Sequence, residues 1–123
     1  MESPYKGETG LKRILNAARN SLEGLVAAAR HEDAFRQELI IAAVLVPTAF
    51  FLNVDILERA MLIGSILLVL IVELLNSAVE ATVDRISFED HHLAKRAKDI
   101  GSAAVMLALV NAGVVWLLIV ILR

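Results

Sequence analysis

The segment that most constrains this chain runs from Ile100 to Leu122 and contains 23 residues without a charged side chain. A helix of that length, rising about 1.5 Å per residue, crosses a hydrocarbon layer of about 30 Å. Two more apolar segments precede it, Leu39 to Val54 and Ala60 to Val83. Because 58% of the 123 residues are hydrophobic, the sequence predicts a single all-α integral membrane domain over residues 1–123, with transmembrane helices at 36–54, 60–83 and 100–122.

The first of these spans is the least regular. It is short and contains Pro47, so it reaches both membrane surfaces only if the residues from Arg36 to Glu38 extend to the headgroups or the bilayer thins locally. A hairpin buried inside the protein is the alternative for this segment.

Basic residues are distributed in a way that predicts the orientation of the spans. Only Arg59 and Arg123 fall on one side of the predicted membrane. The others precede the first span or lie between the second and third: Lys6, Lys12, Arg13, Arg19, Arg30, Arg36, Arg85, Lys95, Arg96 and Lys98. The positive-inside rule therefore predicts a cytosolic amino terminus, a cytosolic loop from Asp84 to Asp99 and an external carboxyl terminus. Met1 to Arg30 carries no secretory signal, which agrees with this orientation.

Apolar residues recur every three or four positions before the first span, which predicts an amphipathic helix at about residues 8–33. The stripe consists of Leu11, Ile14, Leu15, Ala18, Leu22, Leu25, Val26 and Ala29. We expect this helix to lie in the membrane interface, although a helix that only packs against the spans is an alternative. Ala104, Ala108 and Ala112 form a row of small residues in the third span that allows close helix packing. Since three helices barely enclose a polar site, we expect a homo-oligomer.

Four polar residues interrupt the second span and predict where chemistry takes place. Glu73, Asn76, Glu80 and Asp84 are spaced by three, four and four, so they share one helix face. A carboxyl group at the depth of Glu73 costs about 2.5 to 3.5 kcal/mol, judged from the insertion cost of Asp, which makes it a functional candidate. A protonated Glu73 in an interhelical hydrogen bond is the structural alternative. Glu80 and Asp84, with Glu32 as a further acidic group, have the oxygen ligands of a magnesium site shared with nucleotide phosphates.

The segment between the second and third spans has a mixed charge. Its acidic part contains Glu89, Asp90, His91 and His92, and its basic part runs from Lys95 to Asp99. Such a loop suits polyphosphate binding, although a solvated cytosolic loop has the same composition. The glycine-rich phosphate loops of other nucleotide-binding proteins do not occur in the sequence, and neither do cysteines, so any catalysis must use oxygen or imidazole groups.

Three blocks together resemble the prokaryotic diacylglycerol kinase family. They are EDAFRQE at Glu32 to Glu38, VELLNSAVEA at Val72 to Ala81 and RAKDIGSAAV at Arg96 to Val105, with Asp84-Arg85 between the last two. The resemblance extends from about Thr9 to the end of the third span. It implies a homotrimer of three-helix subunits, each with an amphipathic amino-terminal helix, in which neighbouring subunits share active sites near the cytosolic interface.

The resemblance also implies roles for individual residues. Glu73 matches the general base, Asn76 belongs to the active-site cluster, and Glu32 and Glu80 match metal-binding carboxylates. The residues expected at the nucleotide, besides Glu32 and Glu80, are Arg13, Asn20, Glu89, Asp90, His91, Lys98 and Asp99. Those expected on the side of the lipid substrate are Arg13, Arg36, Gln37, Glu38, Arg59, Glu73 and Ser102. At Asn20 the better-known members carry a tyrosine, and Leu22 and Ala29 replace tryptophans, so aromatic contacts expected on the first helix are absent from this sequence.

The function implied is the phosphorylation of diacylglycerol to phosphatidic acid, with ATP as donor and Mg²⁺ as cofactor, at the cytoplasmic face of a bacterial inner membrane. Undecaprenol is the alternative lipid substrate. A small ion transporter that uses Glu73, and a structural membrane protein without catalysis, are the alternatives from other classes. We expect no nucleic acid partner. Asn111, a polar residue in the third span, is expected to form an interhelical hydrogen bond, with substrate contact as the alternative.

Overall fold

The computed structural model describes residues 9–86 and 91–122, and within these ranges all regular secondary structure is helical. Helix α1 spans Gly10–His31, α2 spans Asp33–Phe51, α3 spans Ile56–Ile86 and α4 spans His91–Trp116, which continues into a π-helical segment, Leu117–Ile121. Three helices, Asp33–Phe51, Ile56–Ile86 and His92–Ile121, are long and apolar enough to cross a membrane. The prediction of an all-α membrane protein with three such helices is therefore confirmed. All three helices begin earlier than the predicted spans, and α3 also ends later, whereas α2 ends at Phe51 instead of Val54 because the chain turns there toward α3. Where the membrane itself begins and ends along the helices stays a prediction.

The turn between α2 and α3 is closed by polar side chains. Asp55 and Glu58 form a reciprocal cap on α3, because the Glu58 amide donates to Asp55 Oδ1 at 2.8 Å and the Asp55 amide donates to Glu58 Oε1 at 3.1 Å. The Arg59 guanidinium donates to the carbonyl oxygens of Ala49, Leu52 and Val54 at 2.9 to 3.2 Å. The bonds to Ala49 and Leu52 satisfy carbonyls that the end of α2 leaves without helical partners, and the bond to Val54 holds the turn, so that together they join the two helices as an antiparallel pair.

Glu32 is the single residue between α1 and α2, with extended backbone angles. Arg36, one turn into α2, donates to the carbonyl oxygens of Ala29 at 2.9 Å and Arg30 at 2.7 Å and also pairs with Asp33. A cation at these carbonyls stabilises the carboxyl end of α1. Arg36 therefore fixes the direction in which α1 leaves the bundle.

Helix α3 packs against both α2 and α4. One buried cluster consists of Ala42, Ile66, Val69, Ala108 and Ala112, and a second of Ala49, Leu62 and Ile119. The Trp116 indole N–H donates to the Leu62 carbonyl oxygen at 3.2 Å, which joins α4 to α3. Two of the three alanines in the predicted small-residue row are thus used inside the chain, whereas Ala104 is exposed. Many large apolar side chains on the helices remain exposed, as expected of surfaces that meet lipid or another subunit.

Candidate active site

Helix α3 carries the polar stripe that the sequence predicts, and Glu73 is its most enclosed member. Glu73 is only 5% exposed, and the apolar residues Val69 and Ile66 are buried on the same helix, one and two turns away respectively. The amide of Asn76 lies beside the Glu73 carboxyl group. One turn further along, Asn76 Nδ2 lies 3.4 Å from Glu80 Oε1. A single amide therefore links a carboxyl group within the apolar bundle to one that is closer to the end of the helix.

Two more carboxyl groups, on other elements, lie within electrostatic range of Glu73. They are those of Glu38 on α2 and Glu32 at the α1–α2 junction, and Glu80 on α3 lies within the same range. Oxygen Oε2 of Glu38 and Oδ1 of Asn76 are buried without a hydrogen-bond partner among the described residues. Buried polar atoms without partners are costly, so the cluster has the properties of a site that a donor or cation completes.

The close approach of α4 to this cluster depends on Gly101. A Cβ atom at this position would overlap the Asn76 side chain, Oδ1 first. Glycine is therefore the residue that lets α4 pass directly over Asn76. This gives Gly101 of the third sequence block a structural reason.

An ion pair joins α3 and α4 beyond the cluster. Lys98 Nζ lies 2.5 Å from Asp84 Oδ1, and Lys95 Nζ lies 2.6 Å from Asp99 Oδ2 within α4. Both pairs are largely solvent-exposed. The two residues predicted to contact the nucleotide from α4, Lys98 and Asp99, are therefore already paired with opposite charges. A bound polyphosphate would compete with Asp84 for Lys98.

The other residues predicted to bind nucleotide or lipid lie at several places in the structure. Arg13 and Asn20 are exposed on α1, Gln37 is exposed on α2 and Ser102 is exposed on α4. Arg36 donates to the end of α1, as described above. Arg59 is fourteen residues from Glu73, about 21 Å along α3. Its guanidinium donates to carbonyls at the carboxyl end of α2, far from Glu73. Glu89, Asp90 and the side chain of His91 lie outside the described residues.

The carboxyl groups around Glu73 could bind a magnesium ion only if waters and substrate phosphates supplied its other ligands. Within residues 9–86 and 91–122, no three histidine, cysteine, aspartate or glutamate side chains are arranged to hold a metal ion. Glu32 and Glu80 lie near the same carboxyl group, and Mg²⁺ commonly takes one or two carboxylates together with waters and substrate phosphates. The donor set therefore fits a magnesium ion that the nucleotide helps to bind.

Three features of this site do not follow from the sequence. The sequence places Glu38 on the lipid side but does not indicate that this carboxyl group is partly buried within electrostatic range of Glu73. It places Asp84 on the polar stripe without indicating a partner, and it contains Gly101 within a block without indicating the contact with Asn76. The spacing of Asp84 on the stripe and the position of Gly101 beside Lys98 and Asp99 were available signals, but their partners lie on other helices.

An apolar groove opens beside the cluster between α2, α3 and α4. Glu38 lines it together with apolar residues and glycine: Ile41, Leu45, Ile66, Val69, Leu109, Ala112, Gly113 and Trp116. Such a groove joins a polar, acidic end to a surface suited to a hydrocarbon chain.

Comparisons with known proteins identify the family of this chain. The family model described as prokaryotic diacylglycerol kinase matches residues 19–120. The chain is 60% identical to a diacylglycerol kinase of Pseudomonas aeruginosa over 93% of both proteins. It is 52% identical to one of Escherichia coli over 88% of both, and 50% identical to one of Haemophilus influenzae over 88% of this chain and 92% of the relative. The match covers the polar stripe of α3, the acidic residues around it and the Gly101 contact, and the chain belongs to the prokaryotic diacylglycerol kinase family.

Proposed function

We propose that this protein phosphorylates diacylglycerol to phosphatidic acid with ATP and Mg²⁺, at the cytoplasmic face of a bacterial inner membrane. The single observation that carries the proposal is the burial of Glu73 within an apolar span, beside Asn76 and within electrostatic range of Glu32, Glu38 and Glu80. Carboxyl groups are costly at that depth. Their convergence supports a reaction in which a hydroxyl group inside the membrane meets a phosphate donor outside it.

Glu73 is the residue proposed to accept the proton of the lipid hydroxyl. The seven residues from Glu73 to Glu80 span about 10 Å of α3. The lipid hydroxyl, at the level of Glu73, would therefore lie deeper in the membrane than the phosphates, at the level of Glu80. As the new bond from the lipid oxygen to the γ-phosphorus forms and the bond to the β-phosphate oxygen breaks, Glu73 takes the hydroxyl proton. Asn76, which lies between Glu73 and Glu80, orients both carboxyl groups.

Glu32 and Glu80 are the residues proposed to hold the magnesium ion. When bound, Mg²⁺ would neutralise negative charge on the β- and γ-phosphates. Lys98, Asp99 and Arg13, with Asn20, Glu89, Asp90 and His91, are proposed to bind the rest of the nucleotide. The excess of lysine and arginine on this side of the predicted membrane supports its assignment to the cytoplasm.

The lipid is proposed to enter along the apolar groove that Glu38 lines. Its hydroxyl end would lie toward Glu38 and Glu73, and an acyl chain would follow the groove toward Trp116. Gln37 is exposed near the start of α2, and Ser102 is exposed on α4 next to Gly101; both are proposed to contact the headgroup. Arg36 and Arg59 would bind lipid only by exchanging some of their present bonds to backbone carbonyls.

The active protein is proposed to be a homotrimer with its α1 helices on the membrane surface. Leu11, Ile14, Leu15 and Leu22 on α1 are all more than half exposed in the single chain, which supports contact with the membrane interface. The side chains of Lys98 and Asp99 are partly exposed in the single chain, so a neighbouring subunit can approach the site and contribute residues to it.

A substrate panel tests the proposed reaction. Purified protein in mixed micelles is given ATP with diacylglycerol or undecaprenol, in magnesium or in excess chelator, and the phosphorylated lipid is measured. The proposal expects diacylglycerol phosphorylation that depends on magnesium. Turnover of undecaprenol alone would refute the substrate, and turnover unaffected by chelator would refute the magnesium site.

A further inference from the structure

Asn111 is a polar side chain that the proposed reaction does not use. It lies on α4 between Val110 and Ala112, five residues before the end of the helix and at the centre of the predicted span 100–122, and it is exposed. It forms no hydrogen bond with any residue in the described part of the chain. A side-chain amide that faces lipid tails leaves its donors and acceptor unsatisfied, at a cost that a partner helix would remove.

Asn111 also occupies a regular position in a larger exposed face. Ile100, Ala104, Leu107, Asn111, Val114 and Leu118 are spaced alternately by four and three residues. At 100° per residue these six lie within about 80° of one another, on what we call the Asn111 face. Leu107 is 64% exposed, and all other members of the face are exposed as well.

The Asn111 face is separate from the surface by which α4 packs inside the chain. The buried residues Ala108 and Ala112 contact α2 and α3, and they lie about 60° and 100° around the helix from Asn111. Alternating spacings of four and three with one central asparagine are the pattern by which identical helices pair, because the asparagine fixes their register.

We infer that the Asn111 face packs within the membrane against a second copy of this chain, with the Asn111 amide in a hydrogen bond across the interface. Lipid tails offer no hydrogen-bonding group, whereas a second copy offers both a donor and an acceptor. The asparagine side chain carries both a donor and an acceptor, so the Asn111 amides of two identical chains can hydrogen-bond to each other. This inference rests on the homo-oligomer in the proposed function and adds a specific surface to it.

Site-specific photo-cross-linking tests this surface while Asn111 remains intact. A benzophenone amino acid replaces Leu107 on the face or, as the matched control, Met106, which is 57% exposed but lies about 140° around α4 from Asn111. Copies with two different tags are expressed together and irradiated in membranes. We expect chain-to-chain products from position 107 and lipid adducts from position 106. Lipid adducts alone at 107, or equal chain-to-chain products at both positions, would overturn the inference.

The hydrogen bond itself is tested with Asn111→Leu and Asn111→Gln. Each such bond lost within a membrane is expected to weaken association about threefold, the equivalent of about 0.6 kcal/mol. Dilution of the protein in detergent with a fluorescence-transfer readout measures the association. Asn111→Leu should weaken it while Asn111→Gln retains it, and an unchanged association in Asn111→Leu would contradict the hydrogen bond.

The proposed function is measured in the same samples, so that the two failures can be separated. An amine-reactive cross-linker reports whether wild-type chains associate at all, and lipid phosphorylation reports whether they are active. Association and kinase activity together with lipid adducts at position 107 would overturn only the assignment of the Asn111 face. Absence of any association would overturn the homo-oligomer as well.

Discussion

The contact between Gly101 and Asn76 gives the sharpest structural test of the active site. Gly101→Ala adds one methyl group to α4 at a point where its Cβ would overlap Asn76 Oδ1. Either Asn76 rotates away, which removes its amide from between Glu73 and Glu80, or α4 moves away from α3. Both outcomes disturb the arrangement of the carboxyl groups, although neither Glu73 nor Glu80 is altered.

Two opposing energies determine the expected effect of Gly101→Ala on folding stability. Adding a methyl group to a closely packed contact costs about 1 to 3 kcal/mol, whereas alanine is favoured over glycine in a helix by about 1 kcal/mol. The net change in folding stability is therefore small. Displacing a positioned group by about 1 Å can reduce a rate about 100-fold, so kcat is expected to fall by about ten- to 100-fold.

The assay is magnesium-dependent phosphorylation of diacylglycerol by Gly101→Ala, with thermal unfolding measured in parallel. Gly64→Ala on α3 is the control, because a Cβ there meets no atom within 4 Å. Combining Gly101→Ala with Asn76→Ala removes the overlap, so the double variant should be no less active than Asn76→Ala alone. Wild-type kcat in Gly101→Ala would refute the role assigned to this contact.

Three further predictions concern the surrounding elements. Lys98→Met should raise the KM for ATP roughly tenfold, because it removes a charge available to phosphate, whereas Asp84→Asn should leave that KM unchanged or lower it by releasing Lys98; the opposite order would contradict the proposed nucleotide contact. Arg36→Met removes the bonds to the Ala29 and Arg30 carbonyls and should destabilise the end of α1 by about 1 kcal/mol. Faster hydrogen exchange limited to that end would support this prediction, and unchanged exchange would refute it. Trp116→Phe removes the bond to the Leu62 carbonyl and should cost about 1 kcal/mol, seen as a lower unfolding midpoint; an unchanged midpoint would show that the bond contributes nothing.

The sequence predicts the helices well because each depends on residues close together along the chain. The uncharged run after Ile100 and the apolar run after Ala60 are sufficient to predict two long helices, and the polar stripe of α3 follows from spacings of three and four. The π-helical segment Leu117–Ile121 was not predicted, since its residues are as compatible with an α-helix.

Contacts between helices were not predictable in the same way. The pairing of Lys98 with Asp84, the overlap that excludes a side chain at Gly101 and the proximity of Glu38 to Glu73 depend on how α2, α3 and α4 pack. The sequence resemblance correctly indicated the family and proposed which residues act. It did not indicate that Arg36 and Arg59 bind the ends of neighbouring helices.

Glu73→Gln tests most directly whether the buried carboxyl group of Glu73 accepts the proton of the lipid hydroxyl. The measurement is the initial rate of ATP-dependent diacylglycerol phosphorylation in magnesium, at matched oligomeric state. Glu58→Gln on the same helix is the control, because Glu58 acts in the α3 cap rather than in the site. Glu73→Gln is expected to lose turnover while Glu58→Gln retains it. Full turnover in Glu73→Gln would contradict the role of Glu73 as proton acceptor.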